Sequence, residues 1–257
     1  MSKDKEERKR FSTLENALHV LELFSVEEPE LGISEIANKL GIANSTAHRL
    51  VTSLRSEGFI TKDAHTNLYR LGTSILALGN VIIKHSKIYN ISQSILKSLV
   101  QQTNETAHIA VLREFEAMYL NKIVCSHPVR LLSYIGKCNP VHCTSTGQVL
   151  LAHQSKRFIE ELFQKKLQRY TSKTIIDPAS LLDRLQKIKK QGYALSVEEL
   201  HKGVSSISAP IYNLKGNVIA SVTIAGPVQR INNNMTSNLV KSVIQSANEI
   251  SQLLHYK

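Results

Sequence analysis

From Ser12 onward the apolar positions recur at helical spacing. Leu14, Ala17, Leu18, Leu21 and Phe24 or Ser25 fall near one face of a 3.6-residue period, which predicts a helix closed by Glu27, Glu28 and Pro29. A short helix, ISEIANKL, follows, with Ser34 as its expected N-cap, Ile36, Ala37 and Leu40 facing inward, and Gly41 as its stop. Asn44 is expected to cap a third helix, Ser45 to Glu57, whose two faces separate cleanly. Ala47, Leu50, Val51 and Leu54 form the apolar side, and Ser45, His48, Arg49 and Thr52 the polar side, before Gly58 ends it. FITK and LYRL around Asp63, His65 and Asn67 then read as a small hairpin closing at Gly72.

Between Thr73 and His85 the stripe Leu71, Ile75, Leu78 and Ile82 steps by 4, 3 and 4. So narrow a stripe suits a helix-pairing seam, although two heptads are also compatible with packing on helices of the same chain. The rhythm then changes. Helices are expected at Ile91–Gln102, Thr146–His153, Lys156–Lys166, Pro178–Gln191 and Thr236 to about Leu254. Strands are expected at Thr106–Arg113, Ala117–Cys125, Leu131–Ile135, Tyr193–Val197, Val204–Tyr212 and Val218–Ile224, the last two joined by a turn at Lys215, Gly216 and Asn217. Strands with interspersed helices make this region an α+β sensor-type domain with an antiparallel sheet. The expected divisions are a flexible basic arm over 1–11, a helical unit closed by a hairpin over 12–72, a linker helix over 73–87, and the α+β domain over 88–257.

Composition narrows the class. The chain has 257 residues, 42% hydrophobic and 21% charged, which is too apolar for a disordered protein. No apolar run approaches the roughly 20 residues needed to cross a bilayer. The charged N-terminus lacks the apolar segment of a secretion signal, and three Cys fit a reducing cytoplasm, so a cytoplasmic location is expected. The net charge of +11 invites a nucleic-acid reading, but its distribution corrects the inference. Residues 1–72 hold 10 Lys and Arg against 11 Asp and Glu, whereas 73–257 hold 22 against 10. Within the first region, residues 11–37 carry six acids and no Lys or Arg, and 38–72 carry five basic and two acidic side chains. The DNA argument therefore rests on where particular side chains stand.

That placement is informative. A short helix, a Gly-containing turn, a longer helix with a polar outer face and a hairpin make the sequence form of a winged helix-turn-helix. The third helix, held by its apolar back, presents Ser45, Thr46, His48, Arg49 and Thr52 to a major groove. Arg49 is the base reader of choice, because its fork matches guanine O6 and N7. Ser34, Lys39 and Asn44, with Lys62 and Arg70 on the wing, are placed for phosphates. Small hydroxyl residues beside Arg, in place of a Glu and Lys mixture, separate this face from an ordinary solvated one. A non-specific nucleic-acid coat is disfavoured, since aromatic residues are only 5% and are not interleaved with basic ones.

ENALHVLELF, ISEIANKLGIANSTAHRLVTSL, EGFI and LYRLG, followed by TAHIAVL, RLLSYIGKCNPVHCTSTGQVLLA, QGYALSVEELHKGVSSISAPI and VIASVTIAGP, resemble the IclR family of bacterial transcription regulators from residue 12 to the end. The resemblance implies an N-terminal winged helix, a dimerising linker helix and a C-terminal GAF-like domain that binds a small metabolite, in homodimers or dimers of dimers on a pseudo-palindromic operator of double-stranded DNA. It implies no enzyme activity, cofactor or metal, and the regulator is expected to be a repressor. Carried over by motif, the effector lies against the sheet. Ser145, Thr146 and Gly147 would offer backbone N–H groups to a carboxylate, and Ser196, Val204, Ser206, Thr223 and Ala225 would line the remainder. An anionic effector, an organic acid, is the corresponding expectation. The chain departs from the family pattern at Ser196, where an acid is common, and at Gly147-Gln148-Val149, where GKA is common.

Cys138, His142 and Cys143, in CNPVHC, raise a competing reading, a thiol enzyme using Cys143 or Cys138 with His142 as base. No third orienting group accompanies them, and the spacing is not one of the strong metal patterns.

Overall fold

A computed structural model describes residues 12–126, 133–231 and 236–255. The expected basic arm, 1–11, lies outside them. The chain divides into two compact units, one ending at His85 and the other starting at Ser86.

The first unit begins with helix α1, Thr13–Glu22. It is closed by a reciprocal capping box in which the Ser12 hydroxyl accepts from the Glu15 amide and the Glu15 carboxylate accepts from the Ser12 amide. Helix α2 (Ile33–Leu40) ends on Gly41 at φ +64°, and helix α3 spans Asn44–Ser56. Strands β1 (Ile60–Lys62) and β2 (Tyr69–Leu71) pair antiparallel, and Leu31 bridges to Tyr69 at the outer edge. Val20, Phe24, Leu31, Ile36, Ala37, Ala47, Leu50, Val51, Ile60 and Tyr69 make one buried cluster that fixes α3 on the other helices and the hairpin.

Three local expectations are corrected here. Leu14 and Leu18 are 71% and 53% exposed; Val20, Leu21 and Phe24 pack instead, because the stripe that meets α2 and α3 is rotated from the one that begins at Leu14. Ser34 is not the N-cap of α2. Gly32 is, and the Glu35 carboxylate accepts from its amide at 2.7 Å. Asn44 is the first residue of α3, and Ala43 stands at the cap without a side-chain bond.

Helix α4, Thr73–His85, buries none of its residues. Leu76, Leu78, Val81 and Ile82 are exposed, as is Leu71 just before it, and Ile75 is half-buried.

The second unit is built on a six-stranded antiparallel sheet. Its strands are β3 (Thr106–Arg113), β4 (Glu116–Ile123), β5 (Cys138–Pro140), β6 (Ala194–Val197), β7 (Val204–Tyr212) and β8 (Val218–Pro227), in the order β5-β4-β3-β8-β7-β6. Of the strand expected at Leu131–Ile135, residues 131–132 lie outside the described residues and 133–135 are not strand. Strand alternation explains the layers. Ala107 and Ile109, Ile207, Ala209 and Ile211, and Val222 and Ile224 pack against helices α5 (Lys87–Thr103) and α9 (Thr236–His255). The intervening residues are small and polar, Ser206, Ser208, Ser221 and Thr223, and face helix α6 (Ser145–Ala152). Helices α7 (Lys156–Phe163) and α8 (Pro178–Gln191) complete that side in a separate apolar cluster with Val149 and Leu151.

Candidate functional site

Two surfaces carry the expected chemistry. On α3, burying Ala47, Leu50 and Val51 leaves Ser45, His48, Arg49 and Thr52 exposed on the opposite side, with Thr46 half-buried. The helix holds no acid. Arg55 extends the exposed face by one turn from Thr52, at the spacing that would have identified it from sequence. Asn44 is exposed at the first turn of α3, and Ser34 is exposed on α2.

The basic side chains around it already have partners. Lys39 Nζ lies 2.7 Å from Glu28, and Arg70 lies 3.9 Å from Glu30 with Nε donating to Thr61. Both pairs are substantially exposed, so each is weak and exchangeable for a phosphate contact. Lys62 rests its ammonium over the Tyr69 ring at 5.5 Å. At the wing tip the Asp63 carboxylate accepts from the His65 and Thr66 amides at 2.8 and 2.9 Å, which holds its pKa low and fixes the turn.

The second surface is a cavity of about 60 Å³ between the sheet and the start of α6. One water needs roughly 10–15 Å³ on this measure, so the space suits a ligand of a few heavy atoms. Six of the eight expected effector contacts, Thr146, Ser196, Val204, Ser206, Thr223 and Ala225, form its wall. Sheet register brings them together: Ser196, Ser206 and Ala225 lie in one cross-strand row, and Ser208, Thr223 and His108 in the next.

Ser145 and Gly147 do not line the cavity. Ser145 is wholly buried behind it, with its hydroxyl 2.7 Å from those of both Ser206 and Ser208. The Gly147 amide already donates to Thr144 Oγ1 at 3.0 Å, and a Cβ on Gly147 would lie 2.3 Å from Val141 Cα. The expectation that this amide is offered to a ligand is therefore corrected. Gly147 lets α6 start hard against the preceding turn.

Sequence reasoning missed several wall residues, among them His108, Tyr119 and Glu199. His108 is 2% exposed and accepts or donates at Nε2 with Ser133 Oγ, 2.9 Å away, while its Nδ1 has no partner. Burial, helped by nearby Lys122, lowers its pKa to about 3, so the ring is neutral. Glu199, 3% exposed, accepts from Gln148 Nε2 at 2.7 Å and faces Arg184 at 3.4 Å. Burial raises its pKa even so. Gln148 occupies the place of the family's Lys and donates its second N–H to the His142 carbonyl at 2.9 Å. Among the described residues, no Lys or Arg lines the cavity.

The geometry weighs against a thiol nucleophile. Burial, with Glu199 nearby, pushes the Cys143 thiol up to about 12, and Cys138 is raised as well. His142 is tied to the Gln168 carbonyl at 2.9 Å and its pKa is lowered by burial. Among the described residues, no group of three or more His, Cys, Asp or Glu is placed to hold a metal.

Residues 13–64 match the IclR helix-turn-helix domain, and residues 81–252 match the domain described as bacterial transcriptional regulator IclR C-terminal. The chain is 31% identical over 242 residues to the HTH-type transcriptional regulator BhcR of Paracoccus denitrificans, covering 93% of this chain and 85% of the relative. It is 28% identical to the transcriptional repressor IclR of Escherichia coli, covering 93% and 88%. Among solved structures, an IclR homologue from Microbacterium hydrocarbonoxydans complexed with 4-hydroxybenzoate superposes with a TM-score of 0.85 at 26% identity, covering 96% of this chain and all of that one.

Proposed function

This chain belongs to the IclR family of bacterial transcriptional regulators, DNA-binding proteins and not enzymes, and from that premise we propose that it is a cytoplasmic repressor released or recruited by a small organic acid. The observation that carries the reading is the cavity under α6, where six residues assigned by motif converge on one small space. A carboxylate there would meet the N–H group of Thr146, which lies in the first turn of α6 and has no intrahelical acceptor. Hydroxyls of the sheet would hold its other side. The homologue complexed with 4-hydroxybenzoate supports a carboxylate-bearing ligand for this chain.

DNA recognition is assigned to α3 and the wing. Arg49 reads a base, with Ser45, Thr46, His48 and Thr52 beside it. Ser34, Lys39, Asn44, Lys62 and Arg70 hold phosphates. The exposed stripe of Leu71, Leu78 and Ile82, with Ile75, pairs two chains, or two pairs of chains, so that two recognition helices meet a pseudo-palindromic operator. The effector acts by binding one arrangement of the paired regulators more tightly than the other, since equal affinity for both would shift nothing.

Footprinting of the purified protein on the DNA upstream of its own gene tests this. A protected pseudo-palindrome, weakened or strengthened by a carboxylate, is expected. Equal, salt-dependent binding to that DNA and to random DNA would overturn it.

A further inference from the structure

Five hydroxyls run in a chain from the head of α6 across the sheet. Thr146 lies 2.9 Å from Thr223, Thr223 2.6 Å from Ser208, Ser208 2.7 Å from Ser145, and Ser145 2.7 Å from Ser206. Each hydroxyl owns a single proton, so the direction of one bond fixes all the others. Geometry permits Ser145 to donate to Ser206. With its proton spent there, Ser145 must accept from Ser208. Ser208 must then accept from Thr223, and Thr223 from Thr146.

The chain is therefore a one-way relay, Thr146 to Thr223 to Ser208 to Ser145 to Ser206. Its last proton, on Ser206, finds no acceptor among the described residues, and Ser206 lines the cavity. Hydrogen bonds aligned head to tail in a low-dielectric interior polarise one another, so that terminal O–H is a stronger donor than an isolated serine. A second observation points at the same space. On the same wall the buried His108 leaves Nδ1 without a partner. With a neutral ring and no lining Lys or Arg among the described residues, negative charge on a ligand would be held there by O–H and N–H donors.

We propose that Ser206 is the specificity-determining donor of this cavity, directed by the relay behind it to a proton-free acceptor oxygen, so that the site takes small monocarboxylates and rejects molecules offering only donors there. The proposal rests on the reading of the cavity as the effector site. It goes beyond that reading in naming which hydroxyl selects the ligand, and in making Ser208, which touches no ligand, part of the selection.

The test uses the full chain and isothermal titration with acetate, lactate, 2-oxobutanoate and 4-hydroxybenzoate, with ethylammonium and benzylammonium as donor-only probes. At least one carboxylate should bind and neither ammonium should. Ser206→Ala should weaken that carboxylate by about tenfold or more, the scale of a hydrogen bond to a charged group. Ser206→Thr, which keeps the hydroxyl, should retain it. Ser208→Ala should weaken it several-fold from behind the wall. Ser221→Ala, a buried hydroxyl on the same sheet face but outside the relay, should leave it unchanged. If a carboxylate binds, cavity-filling Ala225→Leu abolishes it, and Ser206→Ala or Ser208→Ala binds like the wild type, the relay is overturned while the effector site stands. If no carboxylate binds, or Ala225→Leu leaves binding intact, both fall.

Discussion

Gly72 sits directly against the carbonyl oxygen of Gly58: a Cβ on Gly72 would lie 2.1 Å from that oxygen. The contact locks three elements together, because the Gly72 amide donates to Phe59 O at 2.7 Å and the Ser74 amide to Gly58 O at 3.3 Å. It joins the end of α3, the return strand β2 and the start of α4. Gly72→Ala must push backbone against backbone and should destabilise the first unit by at least about 1–3 kcal/mol. Gly79→Ala, on α4 with nothing within 4 Å of its Cβ, should instead gain roughly 0.5–1 kcal/mol from helix propensity. Thermal unfolding of the two variants checks the contrast.

On α3, Arg49→Ala should cost about 1–3 kcal/mol of discrimination between operator and mismatched DNA. Arg55→Ala, one turn further along, should lower affinity for both to a similar degree and reduce the salt dependence. Competition binding at two salt concentrations separates the two roles. Equal losses of specificity from both variants would remove Arg49 as the base reader.

How far the sequence carried the reading differs between the two units. In the first, contacts are local, so the polar and apolar faces of α3 and the wing could be read from periodicity. What periodicity did not settle was which of two adjacent stripes of α1 packs, since Leu14 and Leu18 are as apolar as Val20 and Leu21. Cap choice also escaped it: Glu35 reaching back to Gly32 outweighed the intrinsic preference for Ser34. In the second unit the strands were legible, but the cavity depends on register between β3 and β8, segments more than a hundred residues apart. His108 had a visible signal. It is a polar residue alternating with Ala107 and Ile109 in a strand, and so faces away from the apolar layer.

His108 also sets a pH response. Its folded pKa of about 3 lies below the ordinary 6.5, so between those values the unfolded chain binds a proton that the native ring refuses. Stability of the second unit should therefore fall as pH is lowered across that window, by up to about 1.4 kcal/mol per unit. Glu199 works in the opposite sense, because its raised pKa makes the native state hold a proton above the ordinary 4.5 and favours folding at lower pH. Comparing urea midpoints of the wild type and His108→Asn at pH 7, 5 and 4 isolates the histidine. The variant should lose distinctly less on acidification, and identical profiles would contradict the buried neutral ring.

The thiols give a direct chemical check. With Cys143 at about 12 and buried, its thiolate is scarce at neutral pH, and Cys125 is buried too. Native protein treated with iodoacetamide at pH 8 should be labelled first at half-exposed Cys138, with Cys143 reacting at the rate of global unfolding. Cys143→Ser should leave DNA binding unchanged. Rapid labelling of Cys143 in the folded protein would restore the case for a reactive thiol.

The remaining prediction concerns α4. A helix that buries none of its residues yet carries Leu76, Leu78, Val81 and Ile82 on its surface leaves apolar area in water, at about 25 cal/mol for each Å² that a partner could remove. Leu78 and Ile82 are one turn apart, so a second copy of α4 meets both at once. Leu78→Asp with Ile82→Asp would place four carboxylates of a symmetric pair in the same seam. The double variant should sediment as a monomer and lose operator affinity much more than affinity for the effector, whose proposed cavity is lined by residues of the second unit. Sedimentation velocity with parallel titrations reads both. A double variant that remained dimeric and answered its effector on DNA would move the pairing surface off this helix.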